Sequence, residues 1–343
     1  PARASRLPLD VGPLLPEPYA AYRPLVAEAL LFFLEQLPAP RLLEIAAEQS
    51  RLPPPAPLAA RAVAVLRRCP TLHKLGQVVA RDRRLAPELR RHLQGLESSP
   101  PAAPVAELLR AMGGGPPPEW QLDAPLAEGS VAVVVPFTWR EGAAPPREGV
   151  LKILKPGVEE RLQEELEIWP RLGQFLEERS ARHGLPVLEY RETLERVRTL
   201  LQGEVRLDRE RDHLAAAARF YAGSPAVLIP RLLPFSTPRA TAMERVRGRK
   251  APEAGGGAAP RRRLAETILA ALVAQPFWSA APTATFHADP HAGNLFCSDD
   301  GRLAVLDWSL VARLSKAQRV RLMQILLGAL CLDAPRIAEA AAA

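Results

Sequence analysis

The chain has 343 residues, more than a single core usually holds, so two or more lobes are expected, and 48% hydrophobic residues allow each a buried interior. No run reaches the roughly 20 apolar residues a membrane-spanning helix needs; the nearest, Ala27 to Leu34, is interrupted by Glu28. Cys69, Cys297 and Cys331 have no metal or disulfide spacing and no signal peptide is evident, which predicts a reducing, cytoplasmic setting. The net charge of +7 comes with arginine runs such as Arg261-Arg262-Arg263 that lack any recognition motif or aromatic platform. They predict no nucleic-acid partner; peripheral contact with an anionic inner-membrane surface is the more natural use.

Proline, at 37 residues about twice its usual frequency, punctuates the chain. Residues Tyr22 to Gln49 read as a first helix, and Pro53-Pro54-Pro55-Ala56-Pro57 closes that piece. Helices are predicted over Leu58 to Arg68, Leu72 to Leu96 and Pro104 to Met112, followed by the joint Gly113 to Pro118. Val131 to Phe137 and Gly149 to Leu154 are rich in β-branched residues and read as strands; Val158 to Glu177 returns to helix. Helix formers fill Glu204 to Tyr221, short strands are read at Val227 to Ile229 and Arg239 to Met243, and Ala254 to Pro260 forms another joint. Arg262 to Gln275 and Lys316 to Leu332 are the last helices. The implied organisation is a helical extension over 1–115, a small mixed lobe over 116–250 and a helical lobe over 251–343.

The chemistry concentrates in Phe286-His287-Ala288-Asp289-Pro290-His291-Ala292-Gly293-Asn294 and Leu306-Asp307-Trp308. An Asp, an Asn five residues on and a second Asp after a short hairpin reproduce the spacing of a protein-kinase catalytic loop and its metal-binding aspartate. Leu295-Phe296-Cys297 and Leu303-Ala304-Val305-Leu306 read as the two strands, and Ser298-Asp299-Asp300-Gly301-Arg302 as the turn, with Gly301 able to take a positive φ. Mg2+ needs hard oxygen ligands, and the hairpin returns Asp307 beside Asn294. In this reading Asp289 is the catalytic base. His287, Asp289 and His291 also form an H-x-D-x-H pattern that a metallohydrolase would use, but Pro290 argues for a loop there and the pattern leaves Asn294 and Asp307 unexplained. Upstream, Lys152 in Val150-Leu151-Lys152-Ile153-Leu154 is the candidate phosphate-pairing lysine, and Glu210 the carboxylate that would hold it; a surface Glu210 paired with Arg206 is the bland alternative.

These residues resemble the UbiB (AarF) family of atypical protein-kinase-like proteins from about Cys69 to Leu330. The family's K-x-G-Q is matched by Lys74-Leu75-Gly76-Gln77, its H-A-D-P-H-P-G-N in every place but Ala292, its V-A-V-K-V-x-x-P-G by Val150 to Gly157, and its hinge strand by Pro238 to Glu244. The resemblance implies an α+β, protein-kinase-like bilobal fold with an N-terminal helical extension that occludes protein substrates. It further implies that ATP and Mg2+ are bound: Lys152 and Glu210 at the phosphates, Ala127, Gly129 and Ser130 in the covering loop, Glu244 at the hinge, Lys74 and Gln77 from the extension, and Asn294 and Asp307 on the metal. The activity expected is ATP hydrolysis or phosphorylation of a small or lipid-like acceptor such as a quinone precursor, in support of ubiquinone biosynthesis.

Three departures qualify that expectation. The covering loop, alanine-rich in the family, is Ala127-Glu128-Gly129-Ser130, which brings a negative charge near phosphates; E-x-D becomes Glu204-Val205-Arg206; and D-F-G becomes Asp307-Trp308-Ser309. A catalytically degraded, nucleotide-binding regulatory scaffold is therefore the principal alternative.

Overall fold

A computed structural model describes residues 11–97, 104–113, 120–140, 142, 144–186, 188–254 and 256–342. The fold is α+β with helices at its N-terminal end, and the chain divides into two compact units: Pro1–Val205 with Phe235–Ala242, and Arg206–Pro234 with Met243–Ala343. Most of the predicted joint Gly113 to Pro118, and Gly255 of the later joint, lie outside the described residues.

The first unit opens with helices Arg23–Glu35, Ala39–Ser50, Leu58–Arg68, Pro70–Val79, Pro87–Gln94 and Val105–Ala111. Two long predicted helices are each split, and a proline marks both breaks. A residue that precedes proline is pushed out of the helical region; Ala86, before Pro87, has ψ 134°, which ends any continuation from Pro70–Val79. Between Arg23–Glu35 and Ala39–Ser50, Pro38 with ψ 146° makes the other break.

A sheet follows, in which strand Ala132–Trp139 pairs antiparallel with Gln121–Leu122, Ala127–Glu128 and Arg147–Leu154. Its alternation is plain: Val133, Val135, Phe137, Leu151 and Ile153 are fully buried, while Val134 and Lys152 on the opposite face are half-buried. The 25-residue helix Val158–Arg182 leaves this sheet through Gly157, whose φ of 65° suits glycine. The helix Tyr190–Gly203, which the sequence reading left unassigned, packs antiparallel in sequence order beside it. Gly173 marks the close approach, since a Cβ there would come 3.0 Å from the Arg191 backbone.

The centre of this unit is both apolar and ionic. Phe33, Ile45, Val65, Leu166 and Trp169 belong to one buried cluster, and beside it Glu165 is wholly buried. Arg41 Nη2 donates to Glu165 Oε1 at 2.5 Å, and the amide and hydroxyl of Thr71 donate to Oε2 at 2.9 and 2.7 Å. Three helices distant in sequence thus meet on one carboxylate.

The second unit holds helices Leu207–Phe220, Ala258–Leu269 and Lys316–Leu330 and two small sheets. In one, Leu303–Val305 runs parallel to Val227–Leu228 and antiparallel to Leu295–Ser298, which also pairs with Gly248–Lys250. In the other, Thr283–His287 pairs with Val311–Ser315. Leu214, Tyr221, Leu272, Leu295, Val305 and Trp308 form its core.

Removing one partner of a buried ion pair leaves the other charge unpaired, at a cost of about 3–5 kcal/mol. Glu165→Ala is expected to lower the urea midpoint accordingly, whereas the Arg41→Met/Glu165→Leu double variant, which removes both charges, retains most of the stability; equal losses in the two would refute the assignment.

Candidate functional site

The expected site residues divide between the two units. On the first, Ala127, Val134 and Lys152 lie in one cross-strand row, because Ala127 is opposite Val134 and Val134 opposite Lys152. Ala127 therefore lies on the sheet face that carries Lys152, while Ser130 lines the same hollow as Glu128 and Val133 on the other face. Gly129 donates its amide to Ala132 O at 2.8 Å, which closes the hairpin, and Ser130 is buried.

Glu128 occupies the opposite face, in the row of Val133. Its carboxylate meets Lys155 Nζ at 2.5 Å with both side chains largely buried. The negative charge expected near the phosphates is thus neutralised by a lysine that the sequence reading passed over. Burial pulls the Lys155 pKa down, opposed by Glu128. The signal was present in Val150 to Lys155, where a second lysine follows Lys152 by three residues; an odd separation in an extended chain places the two on opposite faces.

On the extension, Lys74 Nζ is 2.9 Å from Glu204 Oε1, so the K-x-G-Q lysine meets the first carboxylate of Glu204-Val205-Arg206. Gln77 lies one turn further along the same helix and is half-buried. Gly76 sits in close packing: a Cβ there would come 2.5 Å from Leu66 Cδ2 and 3.0 Å from Leu96 Cδ1, so those leucine ends would have to shift.

On the second unit the hairpin forms as predicted. Leu295 faces Val305, Gly301 takes φ 82°, and Leu306 donates its amide to Asn294 O at 2.8 Å. Asn294 Nδ2 donates to Asp289 O at 3.2 Å, which leaves the oxygen end of its amide to face a cation. Asp307 has φ 46°, a left-handed conformation uncommon for a residue with a side chain, and its Oδ1 accepts from Ser309 N at 3.1 Å. Asp289, Asn294 and Asp307 thus lie on segments linked by one side-chain and one backbone hydrogen bond, and their hard oxygens are a donor set that fits Mg2+.

His287 braces this arrangement. Its Nε2 donates to Leu306 O at 3.2 Å and Asp307 O at 2.9 Å, while Nδ1 accepts from Asp289 N at 3.2 Å. With both ring nitrogens occupied, His287 has none to offer a metal, and among the described residues no group of three or more His, Cys, Asp or Glu is arranged to hold one. This corrects the H-x-D-x-H metallohydrolase reading. His291 accepts at Nδ1 from Gly293 N at 3.0 Å, and its Nε2 lies 3.9 Å from Asp289 Oδ2.

Glu210, in the first turn of Leu207–Phe220, is buried, and Arg206 is engaged by Asp208 at 2.6 Å. The surface pairing of Glu210 with Arg206 is therefore not its role. Glu244, at the end of strand Ala240–Glu244, pairs with Arg231 at 2.5 Å.

A family model described as the ABC1 atypical kinase-like domain matches residues 115–341. The probable protein kinase UbiB of Xanthomonas campestris pv. campestris is 26% identical over 226 residues, 63% of this chain and 40% of the relative. That of Shewanella loihica is 31% identical over 227 residues, 63% of this chain and 39% of the relative. The chain thus spans about 40% of the length of these relatives. Among solved structures, the complex of Rv3197 with erythromycin from Mycobacterium tuberculosis matches in fold, with a TM-score of 0.54 and 24% identity, covering 70% of this chain and 60% of that one.

Glu204 is 9% exposed and depends on Lys74. Lys74→Met is expected to cost about 1–3 kcal/mol by leaving that carboxylate unpaired, and adding Glu204→Gln should recover part of it in thermal melts. A Lys74→Met variant as stable as the parent would show that the pair contributes nothing.

Proposed function

The chain belongs to the ABC1 atypical kinase-like family, and on that premise we propose that it is an ATP-binding, Mg2+-dependent ATPase or phosphotransferase with a protein-kinase-like bilobal site. The observation that carries this reading is the backbone bond from Leu306 to Asn294, which sets Asp307 beside Asn294 with Asp289 tied to the same loop. Within such a site Asn294 and Asp307 would hold Mg2+, which when bound supplies charge neutralisation at the phosphates.

In this reading Lys152 and Glu210 serve the α- and β-phosphates, Ala127, Gly129 and Ser130 belong to the covering loop, and Glu244 belongs to the hinge. Lys74 and Gln77 approach from the extension. Asp289 orients the acceptor hydroxyl, or a water, and takes its proton. Catalysis of this kind is mostly positioning and charge stabilisation. The acceptor we infer is a small or lipid-like hydroxyl compound at a membrane surface, with isoprenoid-quinone biosynthesis as the setting; the relatives' name supports a kinase-like activity. No helix among the described residues is long and apolar enough to cross a membrane, so contact with a bilayer by this part of the chain would be peripheral.

A ligand that binds only the folded state stabilises it by about 2.7 kcal/mol at a hundredfold excess over Kd. ATP or ADP with Mg2+ is expected to raise the melting temperature, and Asp307→Asn to abolish the Mg2+-dependent part. An equal shift in the variant would remove Asp307 from the metal site; no shift with any nucleotide would favour the regulatory-scaffold reading.

A further inference from the structure

A cavity of about 430 Å3 lies wholly within the first unit, on the sheet face opposite Lys152: Val133 and Glu128 line it, whereas Lys152 shares its row with Val134 and Ala127. Its walls come from the helices Ala39–Ser50, Leu58–Arg68, Pro70–Val79 and Val158–Arg182 and from the turn after Leu154. The volume is within the range of small-molecule sites, about 300–1,000 Å3.

The lining is rich in cations: Arg51, Arg67, Arg68, Lys155 and Arg161. Against these five cations stand three lining carboxylates, Glu48, Glu107 and Glu128, and Glu44 behind Arg161, so one positive charge is in excess. Glu48 serves both Arg51 and Arg68, and Arg161 is paired at 3.0 Å with Glu44. A guanidinium has five donors, so one carboxylate oxygen does not exhaust it.

His73 adds an independent sign of a ligand. It is 4% exposed and lines the cavity; its Nε2 lies 3.2 Å from Leu96 O and must carry the proton, because a carbonyl only accepts. Nδ1 is then a buried lone pair, and among the described residues it has no partner. Burial, with Lys155 as the next contributor, pulls His73 down to about 3, so the ring is neutral at physiological pH and Nδ1 stays an acceptor. A site with excess positive charge and one buried acceptor suits a ligand that brings anionic oxygens together with a hydroxyl donor. The lining has no Phe, Tyr or Trp among the described residues on which a nucleobase would stack.

We propose that this cavity is a second anion site that binds a small phosphate ester carrying a free hydroxyl, with the phosphate held among Lys155, Arg67, Arg68 and Arg161 and the hydroxyl donating to Nδ1 of His73. Because Lys155 is also the partner of Glu128, occupancy is linked to the set of the Ala127–Ser130 hairpin.

Calorimetric titration of the 343-residue chain with glycerol 3-phosphate, inorganic phosphate and glycerol, at matched ionic strength and without nucleotide, tests the assignment. Saturable binding is expected for glycerol 3-phosphate, weaker binding for inorganic phosphate, and none for glycerol. Lys155→Met and the half-exposed Arg161→Gln should each weaken it about tenfold, as expected for loss of a hydrogen bond to a charged group. His73→Phe should erase the preference for glycerol 3-phosphate over inorganic phosphate, and Asp307→Asn should change nothing. Sedimentation with phosphatidylglycerol or phosphatidylcholine vesicles separates the sources: capture by phosphatidylglycerol alone that Arg161→Gln abolishes identifies a lipid headgroup, and no capture identifies a free phosphate ester. The proposal fails if neither phosphate nor phosphatidylglycerol binds, if Arg161→Gln, folded by circular dichroism, binds as the parent does, or if Asp307→Asn alone removes binding.

Discussion

The carboxylate of Glu165 is the constraint on which the first unit depends. An isolated carboxylate taken into a low-dielectric interior costs on the order of 20 kcal/mol, and Glu165 has no exposed surface. Burial pushes its pKa up, and the donors from Thr71 and Arg41 oppose that rise. Those donors sit on Pro70–Val79 and Ala39–Ser50, while Glu165 sits on Val158–Arg182, so the charge is satisfied only when all three helices are packed together. Arg41 is itself further tied to Arg68 O at 2.9 Å and Glu164 at 3.0 Å, which draws in the end of Leu58–Arg68 as well. Lys74 follows Thr71 by one helical turn. Its position against Glu204 is thus inherited from an ion pair that takes no part in its chemistry, and the same helices build the walls of the basic cavity.

The second unit reaches comparable definition by a different route. Its loop is fixed by neutral hydrogen bonds rather than by a buried ion pair: His287 spans Leu306 O and Asp307 O with one nitrogen and the Asp289 amide with the other. A non-glycine residue held at positive φ costs of order 1–3 kcal/mol and persists only where its surroundings determine it. Asp307 is so determined. Trp308 is buried with its Nε1 donating to Val305 O at 3.2 Å, its own carbonyl lies 3.0 Å from His213 Nδ1, and Ser309 N caps the aspartate. The tryptophan and serine that depart from D-F-G therefore act as supports for the aspartate, one by packing and one by its backbone.

What the sequence made legible was local. The hairpin, its turn glycine and the strand around Lys152 follow from short-range rules of alternation and turn chemistry, and the structure agrees in each. The two proline breaks were legible in principle but were overridden by an apolar periodicity that runs through Pro38 and Pro87. Glu165 was not legible. In Glu164-Glu165 one residue is a half-exposed surface acid and the other is fully buried; the helical period sets Glu165 on the stripe of Leu162, Leu166 and Trp169, but the helix does not reveal the distant partners that satisfy an acid there. Those partners are Thr71 and Arg41, 94 and 124 positions earlier, and of the two only Thr71 serves Glu165 without also touching Glu164. Helix Tyr190–Gly203 went unread because its apolar positions are interleaved with Arg and Glu pairs that by themselves resemble a solvated segment.

The pairing of Glu128 with Lys155 bears on how departures from a family pattern should be weighed. Taken alone, an acidic residue in a phosphate-covering loop suggests repulsion of the ligand and loss of function. The strand register removes that inference, since Glu128 shares the row of Val133 and Ala127 the row of Lys152. An alternating strand puts consecutive residues on opposite faces, so the charge is directed away from the lysine face and onto Lys155. Two lysines three apart thus divide the two faces of one sheet: Lys152 toward the candidate nucleotide side, and Lys155 toward the basic cavity, where the carboxylate supplies its partner. A departure that reads as decay along the sequence is, across the sheet, one half of an ion pair.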